Sequence, residues 1–371
     1  MSDAGPHKSF PRRRVRASAP VARSGGNHAQ SKGRVIAADR PVESAGADGP
    51  GHTADLIAKI RQSADKLATD HTSRGDLKIL SRAIRELRYA FKVFAPYRSC
   101  RKVTVFGSAR TPPGDPAYGQ AVEFGRAMAE HGWLVVTGAS SGIMEAGHVG
   151  AGRDHSMGLT IMLPFEHAPN AVIAGDEKLV YMKYFFTRKL MFVKESHAIC
   201  LLPGGFGTLD EGLEVLTLLQ TGKRDMVPVV LLDQPGGDYW REFLRFIERN
   251  LLARRMIDRA DLSLCKRTDD VGEAVAEVIQ FFRVYHSMRY VRGTLVLRLN
   301  HPLAPALLDR VNAEFADILV DGRFTQGGPL PEEKDEPDLA HLPRLLFHFN
   351  RQSLGQLRQL IDCVNRVGEA G

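Results

Sequence analysis

Three glycine-containing turns in the sequence could hold an anionic ligand. Each follows a short apolar run and precedes a helical pattern: Phe106-Gly107-Ser108-Ala109-Arg110, Thr137-Gly138-Ala139-Ser140-Ser141-Gly142 and Pro203-Gly204-Gly205-Phe206-Gly207-Thr208. Glycine allows backbone N–H groups to approach a ligand closely, and a helix N-terminus adds partial positive charge. One such turn is weak evidence, because glycine is common in ordinary turns. Three turns on one sheet predict an anion at the carboxyl ends of the strands.

Charged residues near these turns could act on the bound ligand. Glu211 follows the third turn, and a carboxylate there could stabilise a cationic transition state or activate water. Thr208 and Glu211 also have the spacing of a capping box, which would only close the first turn of a helix. Arg188 and Lys189 lie among apolar residues, so they are either exposed helix charges or include a buried cation with an anionic partner.

Short β-branched runs alternate with helical stretches in the region that carries these residues. This alternation predicts a Rossmann-like parallel sheet flanked by helices. The predicted strands are 103–106, 134–137, 159–163, 198–202 and 227–232. The predicted helices are 117–131, 142–152, 185–195, 208–221, 238–252 and 270–286. Four apolar residues beside the Arg188-Lys189 pair are predicted to be core rather than a base-stacking group: Phe185, Phe186, Met191 and Phe192.

The rest of the chain divides into three segments. Residues 1–52 are rich in Gly, Pro, Ser, Ala and Arg, which predicts a disordered basic tail; a polyanion-binding arm and an organellar transit peptide are the alternatives. Residues 53–98 predict two helices, the first capped by Thr53, and the apolar stripe from Leu77 to Phe94 is a candidate subunit contact. Residues 99–286 form the predicted Rossmann-like domain, and 287–371 a small α+β module in the order βαβα.

Composition narrows the classes of function. The chain has 371 residues and a net charge of +7, but the tail holds nine Lys and Arg against four Asp and Glu. The remaining chain is nearly neutral, so nucleic acid is not the expected partner. No uncharged apolar run reaches the length of a membrane span. The four cysteines stand far apart without a C-x-x-C pair, which favours a reducing cytoplasm over a disulfide framework or a zinc site.

Residues 203–211 resemble the P-G-G-x-G-T-x-x-E signature of the LONELY GUY (LOG) family, nucleoside 5′-monophosphate phosphoribohydrolases that are often labelled lysine decarboxylases. Further matches are residues 105–110, residues 137–146 and the Arg188-Lys189 pair, in the family's order. The resemblance covers about residues 99–286. The helical and C-terminal segments resemble those of longer bacterial members.

The resemblance implies hydrolysis of the N-glycosidic bond of AMP or a cytokinin ribotide, which releases the free base and ribose 5-phosphate. It implies Arg188 and Glu211 as catalytic residues and Glu145 as a nucleotide contact. The implied phosphate loop is Gly204, Gly205, Gly207 and Thr208. Further predicted substrate contacts are Gly107, Ser108, Arg110, Gly138, Ser141, Gly142 and Lys189. No metal or organic cofactor is implied, and a homodimer or higher oligomer is expected, with the active site near the subunit interface. The C-terminal βαβα order resembles half of a ferredoxin-like or ACT-like module, by fold analogy alone.

Three other functions fit parts of the sequence. The second turn departs from the family's G-G-G-x-G at Ala139 and Ser140, and it also resembles the T-G-x-x-x-G-[IV] turn of NAD(P)-dependent short-chain dehydrogenases. Those enzymes need Tyr-x-x-x-Lys, whereas Tyr184 is followed by Arg188. A lysine decarboxylase would need a Schiff-base lysine, for which Lys189 is the candidate. A non-catalytic nucleotide sensor would use the same turns, and it would bind AMP without releasing adenine.

Overall fold

The computed structural model describes residues 53–162 and 168–366. The predicted tail, 1–52, and the predicted strand end at Leu163 lie outside the described residues. The helices are α1 Ala54–Thr69, α2 Arg74–Phe94, α3 Pro116–Glu130, α4 Ile143–Ala151, α5 Phe185–Glu195, α6 Phe206–Gln220, α7 Tyr239–Phe246, α8 Val271–Phe281, α9 Pro305–Glu314 and α10 Leu354–Arg366. The strands are β1 Lys102–Phe106, β2 Leu134–Thr137, β3 Ser156–Ile161, β4 Leu179–Met182, β5 Ala198–Leu201, β6 Val229–Leu232, β7 Lys266–Thr268, β8 Tyr285–Val291, β9 Thr294–Leu299, β10 Leu319–Gly327 and β11 Arg344–Phe349.

Seven parallel strands form the main sheet, in the order β4-β3-β2-β1-β5-β6-β7. Strands β1 to β4 extend to one side and β5 to β7 to the other, so the order reverses between β1 and β5. Such a switch point opens a crevice at the carboxyl ends of the strands, where α/β proteins bind ligands. The predicted Rossmann-like parallel sheet is confirmed.

The inner strands are apolar because both faces of the sheet are covered. Every residue of β1, β2, β3, β5 and β6 is buried, as expected for parallel strands between two helical layers. One face packs on α3, α4 and α8 through residues such as Phe124 and Val278. The other face packs on α5, α6 and the C-terminal elements through residues such as Phe192 and Leu219.

The edge strands β4 and β7 were not predicted. They contain four and three residues, and β7 reads Lys-Arg-Thr, which carries no apolar signal. The predicted helix 270–286 ends at Phe281, because the chain enters β8 at Tyr285.

The C-terminal order βαβα was wrong: the elements run β8-β9-α9-β10-β11-α10 and form an antiparallel sheet in the order β10-β11-β9-β8. Strand β8 was not predicted. It buries every third residue, Tyr285, Met288 and Val291, and this spacing is closer to that of a helix than to the alternation of a strand. Strand β10 is mostly exposed and irregular in register, so it shows no alternation. The half-ferredoxin or half-ACT analogy depended on the wrong order and is dropped.

The C-terminal sheet shares an apolar core with the main sheet. Phe281, Tyr285 and Leu297 belong to the same buried cluster as Phe192. Asn365 on α10 ties the two parts together, since its carbonyl accepts the Tyr285 N–H at 3.0 Å and its amide donates to the Phe281 carbonyl. The proposed domain boundary at residue 286 falls inside β8, and a functional division there stays a prediction.

The first two helices differ in how they pack. Helix α2 is capped by Ser73, whose side chain accepts the Asp76 N–H, and it buries Ala83, Glu86 and Ala90. Helix α1 buries none of its residues against the rest of the described chain. In the residues that the structure describes, no helix is long and apolar enough to span a membrane.

Candidate active site

The three glycine turns meet at the carboxyl ends of β1, β2 and β5. The Ser108 N–H donates to the Pro203 carbonyl at 3.1 Å, and the Ser108 carbonyl accepts the Ile143 N–H at 3.0 Å. The Ser141 hydroxyl donates to the Ala109 carbonyl at 2.9 Å. The first turn is therefore bonded to both of the others, and the predicted convergence is present.

Glycine is required where the turns touch. Gly142 has φ +68°, and a Cβ there would lie 2.3 Å from the Ser108 carbonyl oxygen. A Cβ at Gly204 would lie 2.2 Å from Oγ1 of Thr208 and 2.9 Å from the Ser108 nitrogen. Real Cβ atoms do not come this close to other atoms, so glycine at these two positions allows the turns to pack against one another.

Ala139, the departure in the second turn, adopts the left-handed conformation that glycine would favour. Its φ is +60°, a geometry that costs an alanine about 1–2 kcal/mol. Its N–H donates to Thr137 Oγ1 at 3.0 Å, and its carbonyl accepts the Asn170 N–H at 2.9 Å. Its methyl group packs against Ile173 and Leu179. These contacts hold the alanine in the turn conformation.

The predicted capping box at Thr208 and Glu211 was wrong. Helix α6 begins at Phe206 with Gly205 at its N-cap, so Glu211 lies in the second turn and has no free N-cap amide within reach. Its side chain is buried and faces Lys189, whose Nζ lies 3.2 Å from Oε2 of Glu211. The carboxylate is therefore directed at a cation of α5.

Lys189 joins α5 to α6 through three carboxylates. Its Nζ lies 2.8 Å from Glu214, 2.9 Å from Asp210 and 3.2 Å from Glu211. Burial disfavours the charged amine, but the hydrogen bonds to Glu214 and Asp210 outweigh it and raise the pKa of Lys189. Lys189 therefore has the anionic partners that were predicted, but it is partly buried, with 17% of its side chain exposed.

Glu211 is a desolvated carboxylate beside two cations. Burial raises the pKa of Glu211, while the charges of Lys189 and Arg188 act in the opposite direction. The charge of this side chain therefore depends on its neighbours. Carboxylates whose pKa is raised by burial and lowered by nearby cations are common at functional sites.

Helix α5 brings Arg188 to the second turn. A Cβ at Gly138 would lie 3.8 Å from Nη1 of Arg188, and the guanidinium lies 5.0 Å from the centre of the Phe185 ring. The prediction of four core residues was half wrong: Met191 and Phe192 are buried, whereas Phe185 and Phe186 are about half exposed. A half-exposed aromatic ring, that of Phe185, therefore lies beside Arg188.

Glu86 positions α5 and was missed by the sequence analysis. Tyr184, the N-cap of α5, makes no side-chain cap. The buried Glu86 carboxylate instead ties down the start of α5, because it accepts the Lys183 N–H at 2.9 Å and the Thr187 hydroxyl at 2.8 Å. It also pairs with Arg82 at 2.7 Å. Burial raises the pKa of Glu86, but these bonds outweigh it and the net shift is downward.

A weak signal for Glu86 was present in the sequence. It lies on the same helical face as Ala83 and Ala90, and a carboxylate between two buried small residues needs partners. Two of the partners, Lys183 and Thr187, lie about a hundred positions later in the chain, and no local pattern predicts them. Tyr239 was also missed; its hydroxyl donates to the Gly204 carbonyl at 2.6 Å and steadies the third turn.

The other predicted contacts lie around the mouth of the site. Arg110 is exposed, and Glu145 lies in the first turn of α4, close enough to Tyr118 to raise the pKa of that phenol together with burial. A Cβ added at Gly205 or at Gly207 would meet no described atom within 4 Å. Phe206 between them is 92% exposed. The outer surface of the third turn is therefore accessible to a ligand.

Metal ligands are not grouped in the described ranges. No cluster of three or more His, Cys, Asp or Glu side chains that could hold a metal ion occurs in residues 53–162 and 168–366.

Comparison with known proteins identifies relatives of this chain. A family model described as possible lysine decarboxylase matches residues 137–278. A cytokinin riboside 5′-monophosphate phosphoribohydrolase of Rhodococcoides fascians is 34% identical over 48% of this chain and 89% of its own length. A probable enzyme of the same name from Oryza sativa subsp. japonica is 37% identical over 40% of this chain, which spans 60% of that relative's length. The solved molybdenum cofactor carrier protein of Chlamydomonas reinhardtii is 24% identical, with 49% of this chain and 97% of the other covered and a TM-score of 0.35.

The family model covers the second and third turns, Arg188 and Glu211. The dehydrogenase and decarboxylase interpretations lose their support, since the relatives of this region are phosphoribohydrolases. The chain therefore belongs to the LOG family of phosphoribohydrolases, which are N-glycosidase enzymes.

Proposed function

We propose that the protein hydrolyses the N-glycosidic bond of a nucleoside 5′-monophosphate, AMP or a cytokinin ribotide, to the free base and ribose 5-phosphate. One observation supports this most directly. Glu211 is buried against Lys189 and within electrostatic reach of Arg188, where the three glycine turns converge. The cytokinin part of the proposal comes from the names of the relatives.

The substrate phosphate is proposed to bind the third turn. Gly205 and Gly207 leave open space on its outer side, so backbone amides at the start of α6 are accessible to phosphate oxygens. Phosphate binding far from the scissile bond supplies binding energy that positions the ribose. A nucleoside without phosphate is therefore expected to react much more slowly.

The bond cleavage is proposed to depend on Glu211. As the base departs, positive charge develops at C1′ of the ribose, and a carboxylate in a desolvated site stabilises that charge or orients the attacking water. Arg188 is proposed to hold the nucleotide in the reactive geometry, with the half-exposed Phe185 beside it. Lys189 lowers the pKa of Glu211 against the larger, opposite effect of burial.

The test is incubation of the full chain with a panel of nucleoside 5′-monophosphates, with chromatographic separation of the free bases. We expect base release by the wild-type protein and its loss in Arg188→Ala. The corresponding nucleosides serve as the control for the phosphate requirement. Binding of nucleotide without any base release would instead identify a sensor.

Replacing Lys189 with methionine should move the acidic limb of the pH profile to higher pH. Glu211 acts as a carboxylate, so activity rises with pH as Glu211 loses its proton. Burial already raises the pKa of Glu211, and removal of the Lys189 charge takes away a cause that lowers it. The expected shift is on the order of one pH unit.

The measurement is kcat/KM against pH for both proteins. Titration of the substrate phosphate is common to both profiles and does not affect the comparison. Lys194→Met is the matched control, because Lys194 pairs with Glu195 at the other end of α5. Superimposable acidic limbs for wild type and Lys189→Met would contradict the assigned role of Lys189.

We also propose a homodimer formed through the first two helices. Leu80, Ile84 and Phe91 are exposed along one side of α2, and Leu56 and Ile60 are exposed on α1. A helix of 16 residues is marginally stable in water without tertiary contacts. An exposed apolar surface of this extent is typical of an interaction site, and a second copy of the chain is the expected partner.

Leu80→Asp/Ile84→Asp should convert the dimer to a monomer, because two charges would be buried in the interface. Sedimentation of the full chain at micromolar concentration measures this directly. Val320→Asp, at an even more exposed apolar position on β10, is the control and should stay dimeric. A monomeric wild-type protein would refute the proposal.

We also propose that the protein is located in a reducing cytoplasm, because its four cysteines are widely separated in the sequence.

A further inference from the structure

A cavity of about 480 Å³ lies apart from the three turns, between α2 and the residues that lead into α5. Among its described lining residues five are cationic and none is a carboxylate. The cations are Arg74, Lys78, Arg82, Arg85 and Lys183. Tyr184 forms part of the wall, and its ring stacks on Phe186 at 5.2 Å.

The cations of α2 share one helical face that points away from the core. Their spacing of three or four residues places neighbouring charges side by side, and like charges at this spacing destabilise a helix. Arg82 is paired with Glu86. Arg74, Lys78 and Arg85 form no ion pair with another described residue. The cavity therefore carries a local excess of positive charge.

The shape and charge of the cavity select the class of ligand. Guanidinium groups bind phosphate oxygens through paired hydrogen bonds, and lysine adds a point charge. A single phosphate would compensate only part of the charge, whereas a molecule with several phosphates would reach most of these side chains. The volume fits a small molecule.

The cavity is connected to the active site through Arg82. This side chain both lines the cavity and bonds the Glu86 carboxylate. Glu86 in turn holds the Lys183 N–H and the Thr187 hydroxyl at the start of α5. Arg188 follows Thr187 directly, so a ligand that draws Arg82 toward the cavity alters the bonds that position Arg188.

We propose that this cavity binds a small anion with two or more phosphate groups and that Glu86 transmits its occupancy to helix α5. The binding part stands independently of the proposed enzymatic function. The transmission part rests on that function, since its readout is the rate of base release.

The binding test is calorimetric titration of the full chain with inorganic tripolyphosphate at fixed ionic strength. Lys78→Ala/Arg85→Ala removes two charges from the cavity. Arg88→Ala/Lys92→Ala removes two charges from the same helix outside it and is the matched control. We expect one site per chain, weakened roughly tenfold or more in the first variant only, because charge-assisted hydrogen bonds are the strong ones.

Equal affinity in all three proteins would place the anion elsewhere, such as the glycine turns, and would overturn the proposal. Equal weakening in both variants would show a general charge effect and would overturn it too. For transmission, tripolyphosphate should change the rate of base release in wild type and in Arg88→Ala/Lys92→Ala, but not in Lys78→Ala/Arg85→Ala. An unchanged rate at saturating anion in wild type would refute transmission. If no nucleotide is hydrolysed at all, the proposed function fails, while the titration still decides the binding site.

Discussion

Glu211→Gln should lower kcat for base release by about 10²- to 10⁴-fold, the range found when a catalytic carboxylate or base is removed. The amide keeps the shape of the side chain but cannot supply negative charge to the developing cation at C1′. Substrate binding should be little changed, because the proposed phosphate site at Gly205 and Gly207 does not include this side chain. The measurement is steady-state kinetics on the best nucleotide of the panel.

Glu214→Gln is the matched control for this prediction. Glu214 also contacts Lys189, at 2.8 Å, but it lies one turn further along α6 and is more exposed. We expect less than a tenfold change in kcat for this variant. If Glu211→Gln and Glu214→Gln had similar small effects, Glu211 would be a structural partner of Lys189 and the proposed chemistry would need another carboxylate.

Glu333→Gln should destabilise the fold by about 3–5 kcal/mol, the cost of breaking a buried ion pair by removing one partner. Glu333 lies between two fully buried arginines of the C-terminal sheet. Nη2 of Arg298 lies 3.0 Å from Oε1 of Glu333, and Nε of Arg344 lies 3.1 Å from Oε2. The amide would leave both guanidinium groups in the core without this carboxylate, although Glu336 would still pair with Arg298.

The pH dependence of this effect follows from the pKa of Glu333. Burial raises that pKa, but the Leu330 N–H and the two arginines outweigh it and lower it below the ordinary glutamate value. The stabilisation is therefore fully present above the unfolded-state pKa and is lost as the pH falls through the lower folded-state pKa. The difference between the two proteins should shrink in strongly acidic buffer.

Urea unfolding followed by circular dichroism measures this difference. Glu332→Gln is the control, because its ion pair with Arg292 is exposed at the surface and such pairs contribute about 0–1 kcal/mol. Equal stability losses in the two variants would contradict the assigned role of the buried cluster.

Much of the active site could be predicted from the sequence because its signals are local. Gly107, Gly138 and Gly204 each lie where a buried strand ends, and parallel strands bring such ends to one edge of the sheet. The Arg188-Lys189 pair and Glu211 lie within one turn or two of helix starts that the periodicity marks. Strands and helices with a regular apolar pattern were predicted within a few residues of their observed bounds.

Other features depended on contacts between residues far apart in the chain. The capping-box prediction for Glu211 failed because Gly205, and not Thr208, is the N-cap of α6, while Thr208 packs against Gly204. Strand β8 was not predicted because pairing with β9 sets its conformation, while its own buried residues recur every three positions.

By itself the sequence determined the parallel sheet, the three turns and the residue types available for catalysis, since propensity, apolar period and glycine placement act over a few residues. Only the tertiary structure decided which partners those residues have. It placed Lys189 among three carboxylates, Glu86 under the start of α5 and Glu333 between two arginines. The charge of a buried side chain depends on its neighbours in space, and those neighbours come from distant segments that no local pattern connects.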